Sequence, residues 1–227
     1  MMETFKAYET PTGPQLEVLG QAESRLPAPM KKRGTAWAAA LALALVSVLL
    51  VGGLKLKGQY NSVLQMYESG RGPDGLAYNI TAYLQKEQDA AANIITVAEQ
   101  LIDSEDASLK NAQEALAMLE ESRKNGGPSE QFQANGALKQ SIDLLYQNLQ
   151  LQRKEAGANA DLYDSLQTQW SAFLSNVDYV DHIANGPTIE GTKAYNDVAN
   201  EYNQTVSSFP SQWLSMMWGC GEVELFA

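Results

Sequence analysis

An all-α fold, in which a single N-terminal transmembrane helix is followed by a long antiparallel helical bundle of the four-helix type, is what this 227-residue sequence predicts. Three observations predict it. The run GTAWAAALALALVSVLLVGGL, from Gly34 to Leu54, carries no ionisable group. Beyond it, apolar residues recur at three- and four-residue steps in stripes separated by Gly/Pro breaks. No segment shows the strict two-residue alternation of a half-buried strand.

Residues 1–33 read as a flexible tail, because Pro11, Gly13, Pro14, Pro27 and Pro29 interrupt any periodic pattern. The run 34–54 has the length of a membrane anchor. A helix of about 20 residues spans the roughly 30 Å hydrocarbon layer with its backbone bonds satisfied internally. A cleaved signal peptide would have a shorter apolar core and a basic start. A core helix of a soluble domain would show a polar face, and here Thr35 and Ser47 are the polar residues. The run therefore reads as a retained anchor, with the lipid bilayer as partner of residues 34–54. Lys31, Lys32 and Arg33 precede it, against Lys55 and Lys57 after it, so the positive-inside rule predicts a cytoplasmic N-terminus and an outside bundle.

After the anchor, Tyr60, Val63, Leu64 and Tyr67 keep helical spacing, so the helix is expected to continue for two or three turns until Gly70–Gly75 breaks it. The bundle, residues 55–210, follows from the stripes. The first runs from Leu76 to Ile102 through Ile80, Leu84, Ala91, Ile94 and Ala98. The second spans Ala107–Lys124 with Leu109, Ala112, Leu116 and Leu119 inward, and stops at Asn125-Gly126-Gly127-Pro128. Ser129 is placed to cap the third, which carries Leu138, Ile142, Leu145 and Leu149 before Gly157. The fourth uses Leu162, Leu166, Trp170, Phe173, Val177, Val180 and Ile183 and ends at Asn185-Gly186-Pro187. The last begins near Ile189 or Thr192 and carries Tyr195, Val198, Ala199, Tyr202 and Val206 up to Phe209-Pro210. Amphipathic helices joined by short turns bury their stripes only against one another, hence a bundle.

Residues 211–227 form an apolar C-terminal tail. Trp213, Leu214, Met216, Met217 and Trp218 make a dense cluster without a basic residue, expected to dock on the end of the bundle rather than on anionic lipid or a partner.

The chemistry offered by the residues is sparse. A formal net charge of −11 speaks against a nucleic-acid partner, which needs a basic surface. One cysteine, Cys220, precludes an internal disulfide, and one histidine, His182, stands near Asp178 and Asp181 in a grouping too common to signal a metal. Nucleophile-elbow, phosphate-loop, dinucleotide and zinc-protease patterns are absent, so no catalytic, cofactor-binding or metal-binding residue is assigned. One repeated pair stands out. Tyr195-Asn196 and Tyr202-Asn203 lie seven residues apart, nearly on one helical face. A tyrosine buries its ring while its hydroxyl reaches a polar partner, and an asparagine bridges to neighbouring backbone. The pairs read either as a register lock within the bundle or as a polar groove for a peptide or small ligand.

The stretch from Ala194 to Asn203, AYNDVANEYN, closed by Ser208-Phe209-Pro210, resembles the C-terminal signature of the LemA family, in which a YNDAV-like element precedes a YN pair and a Phe-Pro. Tyr60-Asn61-Ser62-Val63 is similar to the family's YN-containing start, and Asp89 and Asn93 fall where a DLIPNLVETV-like element usually stands. Lys86-Glu87-Gln88 replaces the family's paired arginines, Ala92 its proline, and Gly186–Gly191 is inserted, so the chain resembles a divergent member whose last long helix is split. The resemblance implies a single-pass membrane protein with a long helical bundle and no established catalytic activity. The expectation is thus a non-enzymatic scaffold or interaction module at the cell envelope, with an unidentified protein partner; the alternative is a membrane-tethered sensory or ligand-binding bundle. Tyr195, Asn196, Tyr202, Asn203, Phe209 and Pro210 are its candidate interaction or structural residues.

Overall fold

A computed structural model describes residues 33–69, 79–153, 159–187 and 193–227. Among these it has seven helices and no strand: α1 (Arg33–Glu68), α2 (Ile80–Ala98), α3 (Ala107–Asn125), α4 (Pro128–Arg153), α5 (Ala160–Asn185), α6 (Tyr195–Ser207) and α7 (Ser211–Trp218). The expected tail up to residue 32, the break at 70–75, the approach to Gly157 and a helix start at 189 or 192 lie outside the described residues. Contacts divide the chain into two compact units, 1–52 and 53–227.

In the first unit, α1 carries Leu41, Leu43, Leu45, Val48 and Val51 exposed. From Trp37 onward α1 is long and apolar enough to cross a membrane. No polar face organises its uncharged run, residues 34–54. The same helix runs on to Glu68, about four turns past Leu54 rather than the two or three expected. Leu56, Val63, Met66 and Tyr67 are buried there, so packing supplies the stability that propensity alone would not.

The second unit is built on α2–α5. Asn79 caps α2 by accepting the Ala82 N–H at 2.5 Å. The helix ends at Ala98, four residues short of Ile102, because the Gln100 and Leu101 amides turn back to Val97 and Ala98 in tight i→i+3 bonds. Asp106 caps α3 by accepting from Ser108 and Leu109, and the Ser108 hydroxyl at 2.6 Å holds its carboxyl below the usual carboxylate range. Ser129 does not cap α4. Pro128 already opens that helix, where its missing N–H costs nothing, and the Ser129 hydroxyl donates to the Ala227 carbonyl at 3.2 Å instead.

Cross-helix pairs give the helix directions. Gln88 meets Glu120 while Glu99 meets Gln113, so α2 and α3 are antiparallel. The rings of Tyr83 and Tyr179 stack at 4.7 Å while Asn93 reaches Gln169, so α2 and α5 are antiparallel too. Lys139–Asp181 and Arg153–Asp164 set α4 against α5 in the same way. The predicted stripes fill the space between: Ile94, Leu109, Leu119, Leu138, Ile142, Leu145, Leu149 and Leu166 have no exposed surface and Phe173 almost none. Burial at about 25 cal/mol per Å² makes this core the main source of stability.

The C-terminal residues 211–227 belong to this unit, but not as predicted. Of the expected cluster, Leu214 is buried and Trp218 half-buried, while Trp213, Met216 and Met217 are exposed. The docked residues are Cys220, Val223 and Phe226. They follow a turn at Gly219, whose φ of +57° is a left-handed conformation suited to glycine at a helix C-terminus.

Candidate functional site: the tyrosine–asparagine clamp

The two Tyr-Asn pairs of α6 grip the backbone of the segment that follows Gly219. Asn196 Nδ2 donates to the Phe226 carbonyl at 2.8 Å and its Oδ1 accepts the Phe226 N–H at 2.9 Å. Asn203 repeats this with Val223, at 2.9 and 2.8 Å. Each side-chain amide thus supplies the donor and acceptor that a neighbouring strand would present to one residue. The tyrosines hold two further carbonyls: Tyr195 Oη donates to Glu224 O, between the two grips, at 2.6 Å, and Tyr202 Oη to Cys220 O, ahead of them, at 2.8 Å.

The spacing explains why the motif repeats. Seven helical residues advance about 10.5 Å. Three residues of extended chain cover about 9–10 Å. Seven on the helix therefore match three on the segment, run in the opposite direction, and two grips fall into register. Cys220, Val223 and Phe226, the residues buried beneath, recur with the same step of three.

Aromatic rings wall the site. Tyr67 lies 5.2 Å from Tyr195 and 6.1 Å from Phe226, Phe132 meets Phe226 edge-on at 5.3 Å, and Tyr60 lies 5.9 Å from Tyr202. Tyr67 Oη donates to Gln131 Oε1 at 2.8 Å, and Gln131 Nε2 to the Gly126 carbonyl at 3.0 Å, so the polar atoms at the base are satisfied. Burial pushes the hydroxyls of Tyr67, Tyr195 and Tyr202 upward and keeps them neutral donors.

The geometry brings together four of the six candidate residues; both asparagines bridge to the backbone of the closing segment, and Asn196 Nδ2 also donates to Asn185 Oδ1 at the end of α5 at 2.7 Å. Phe209 and Pro210 are not in the clamp. Phe209 is 80% exposed, as are, to a similar degree, Trp213, Met216 and Met217 of the helix that follows. His182 and Asp178 are exposed on α5, and the described residues contain no cluster of three or more metal-ligating side chains. A polar cleft of about 290 Å³ lies between α2 and α3, lined by Gln85, Gln88, Glu120, Arg123 and Lys124.

A polar pair in the bundle core, Glu87 and Asn135, escaped sequence reasoning. Glu87 has no exposed surface. With its amide turned toward the carboxyl, Asn135 donates to Glu87 Oε1 at 2.6 Å; a protonated carboxyl can instead donate to the opposite amide rotamer. Desolvation pushes the Glu87 carboxyl up to about 8, Asp181 adds to the rise, and Lys139 and Asn135 oppose it. Its position was readable, since 84, 87, 91 and 94 continue the α2 stripe, but the acidic type argued for solvent.

Comparison of the chain with family models, with curated proteins and with solved structures finds no match.

Proposed function

We propose that this chain is a single-pass, membrane-anchored helical-bundle protein of the LemA type, which works without catalysis as a scaffold or interaction module at the cell envelope, its N-terminus cytoplasmic and its bundle outside. The observation that carries the reading is the combination of a helix long and apolar enough to cross a membrane with a packed apolar core through α2–α5 that leaves large apolar side chains exposed at Met118, Leu144 and Leu151. A scaffold needs a rigid body and a sticky face, whereas a small-molecule sensor needs a pocket lined by convergent polar groups. The LemA assignment draws its support from the Tyr-Asn motif of α6, which has a structural task here as a backbone clamp.

Fractionation of native membranes tests the anchor. The chain should resist alkaline carbonate and leave only with detergent, and protease added to intact cells should remove the bundle. Release by carbonate refutes the anchor, and a bundle protected in intact cells reverses the orientation. Photocrosslinkers at Met118 on α3 and Leu151 on α4 test the interaction: protein adducts formed in intact membranes at either position support the module, and their absence at both refutes it.

The clamp favours a second reading, a bundle that recognises extended peptide. Its hydrogen bonds go to main-chain atoms, and those do not depend on sequence. A peptide of residues 220–227 added to chain truncated after Gly219 should bind saturably if this reading holds.

A further inference from the structure

Helix α7 is apolar on two opposite sides, and one of them is covered. Leu214 and Ser215 are buried and Trp218 is half-buried, whereas Trp213, Met216 and Met217, related by three and four residues, point away at 65–72% exposure. Phe209, in the turn before the helix, is exposed as well. From Tyr202 to Gly221 the sequence contains no Asp, Glu, Lys or Arg. A helix greasy on its outer side and free of charge is poorly suited to water.

The position of α7 bears on what could cover that side. The Trp218 indole lies so close to Gly53 that a Cβ there would overlap it. Lys57 Nζ donates to the Gly219 carbonyl at 3.3 Å and lies 4.7 Å from the Tyr60 ring centre. Gly53, Lys55 and Lys57 are where the uncharged run of α1 gives way to charge. In a membrane-crossing helix this is the headgroup level, where lysines extend toward water and tryptophans collect.

From this juxtaposition we infer that α7 lies in the membrane–water interface, with Phe209, Trp213, Met216 and Met217 inserted among the acyl chains of the bilayer that α1 crosses. The inference rests on the anchoring reading above. Unlike most interfacial helices, α7 has no basic face to draw it to anionic lipid, and the chain is acidic overall. It needs none. Its contacts with Gly53 and Lys57 hold it at the surface, so binding is intramolecular and the apolar side chains suffice. The occupant is zwitterionic or anionic lipid alike, selected by hydrocarbon.

Spin labelling of the full chain in phosphatidylcholine nanodiscs tests this. Nitroxides are placed at Met217→Cys, at Leu45→Cys in the uncharged run, and at Met118→Cys on α3, each with Cys220→Ala. Collisions with oxygen and with a nickel chelate report depth. Position 217 should read as lipid-facing, about 5–10 Å below the headgroups, position 45 as deeper, and position 118 as aqueous. Met216→Cys repeats the measurement should Met217→Cys fail to reconstitute. An aqueous reading at 217 with a lipid reading at 45 overturns the inference and leaves the anchor standing. Low access to both reagents at 217, the mark of protein contact, also overturns it in favour of a second copy or a partner protein. An aqueous reading at 45 removes the anchor and the inference together.

Discussion

Replacing Glu87 with glutamine should stabilise this protein, and by an amount that depends on pH. The carboxyl is fully enclosed, and desolvation pushes it up to about 8 from an ordinary 4.5. Below 4.5 the group is protonated both folded and unfolded, so its contribution is fully retained. As pH rises from there the unfolded chain releases the proton while the folded chain keeps it, and stability falls by about 1.4 kcal/mol per pH unit until the folded group also ionises near 8. The accumulated loss is under about 1 kcal/mol at pH 5 and about 3 kcal/mol at pH 7. Glutamine has the shape of the neutral acid, can still pair with Asn135, and has no proton to lose. Chemical denaturation of wild type and Glu87→Gln in detergent micelles, followed by circular dichroism at both pH values, reads the difference directly. A variant no more stable than wild type at pH 7, or a difference that does not change between the two conditions, would refute the argument.

Asn203→Ala leaves the Val223 N–H and carbonyl without partners and should cost about 2 kcal/mol, visible in denaturation and as faster hydrogen exchange at the Val223 amide. Phe226→Ala opens a cavity between Tyr67 and Phe132 and should cost about 3–5 kcal/mol, with equal stability of the two proteins as the contrary result. Gly53→Ala forces the Trp218 ring aside and should cost about 1–3 kcal/mol, and in a Trp218→Ala background the same substitution should cost almost nothing further if the overlap is the cause. Asp106→Ala removes the α3 cap and should cost about 1 kcal/mol, read as a lower melting temperature.

The bundle was legible because its helices obey the simplest rule. Leu109, Ala112 and Leu119, or Leu166, Phe173 and Val180, repeat with the helical period and are buried where that period puts them. The ends were harder. Ile102 belongs to the apolar pattern and packs partly on the core, yet the backbone has already left the helix, since periodicity reports which side faces inward and not where hydrogen bonds change type. The Tyr-Asn repeat was visible as a motif, but its partner was not. The segment it grips shows neither a period of two nor one of 3.6, and its step of three at Cys220, Val223 and Phe226 has meaning only beside a helix that matches it. The tryptophan–methionine cluster misled because hydrophobicity says that a residue avoids water, without saying whether protein or another apolar medium will receive it.

The clamp also limits how the end of this chain can change. Since Asn196 and Asn203 address amide groups rather than side chains, the clamp itself does not dictate the side chains at 221, 222, 224 and 225, provided each third residue still fills its recess. Length is another matter. Adding or deleting one residue between Val223 and Phe226 would leave the two asparagines out of phase, whereas shifting the whole stretch by three would re-engage both, so tolerance to insertions here comes in triplets.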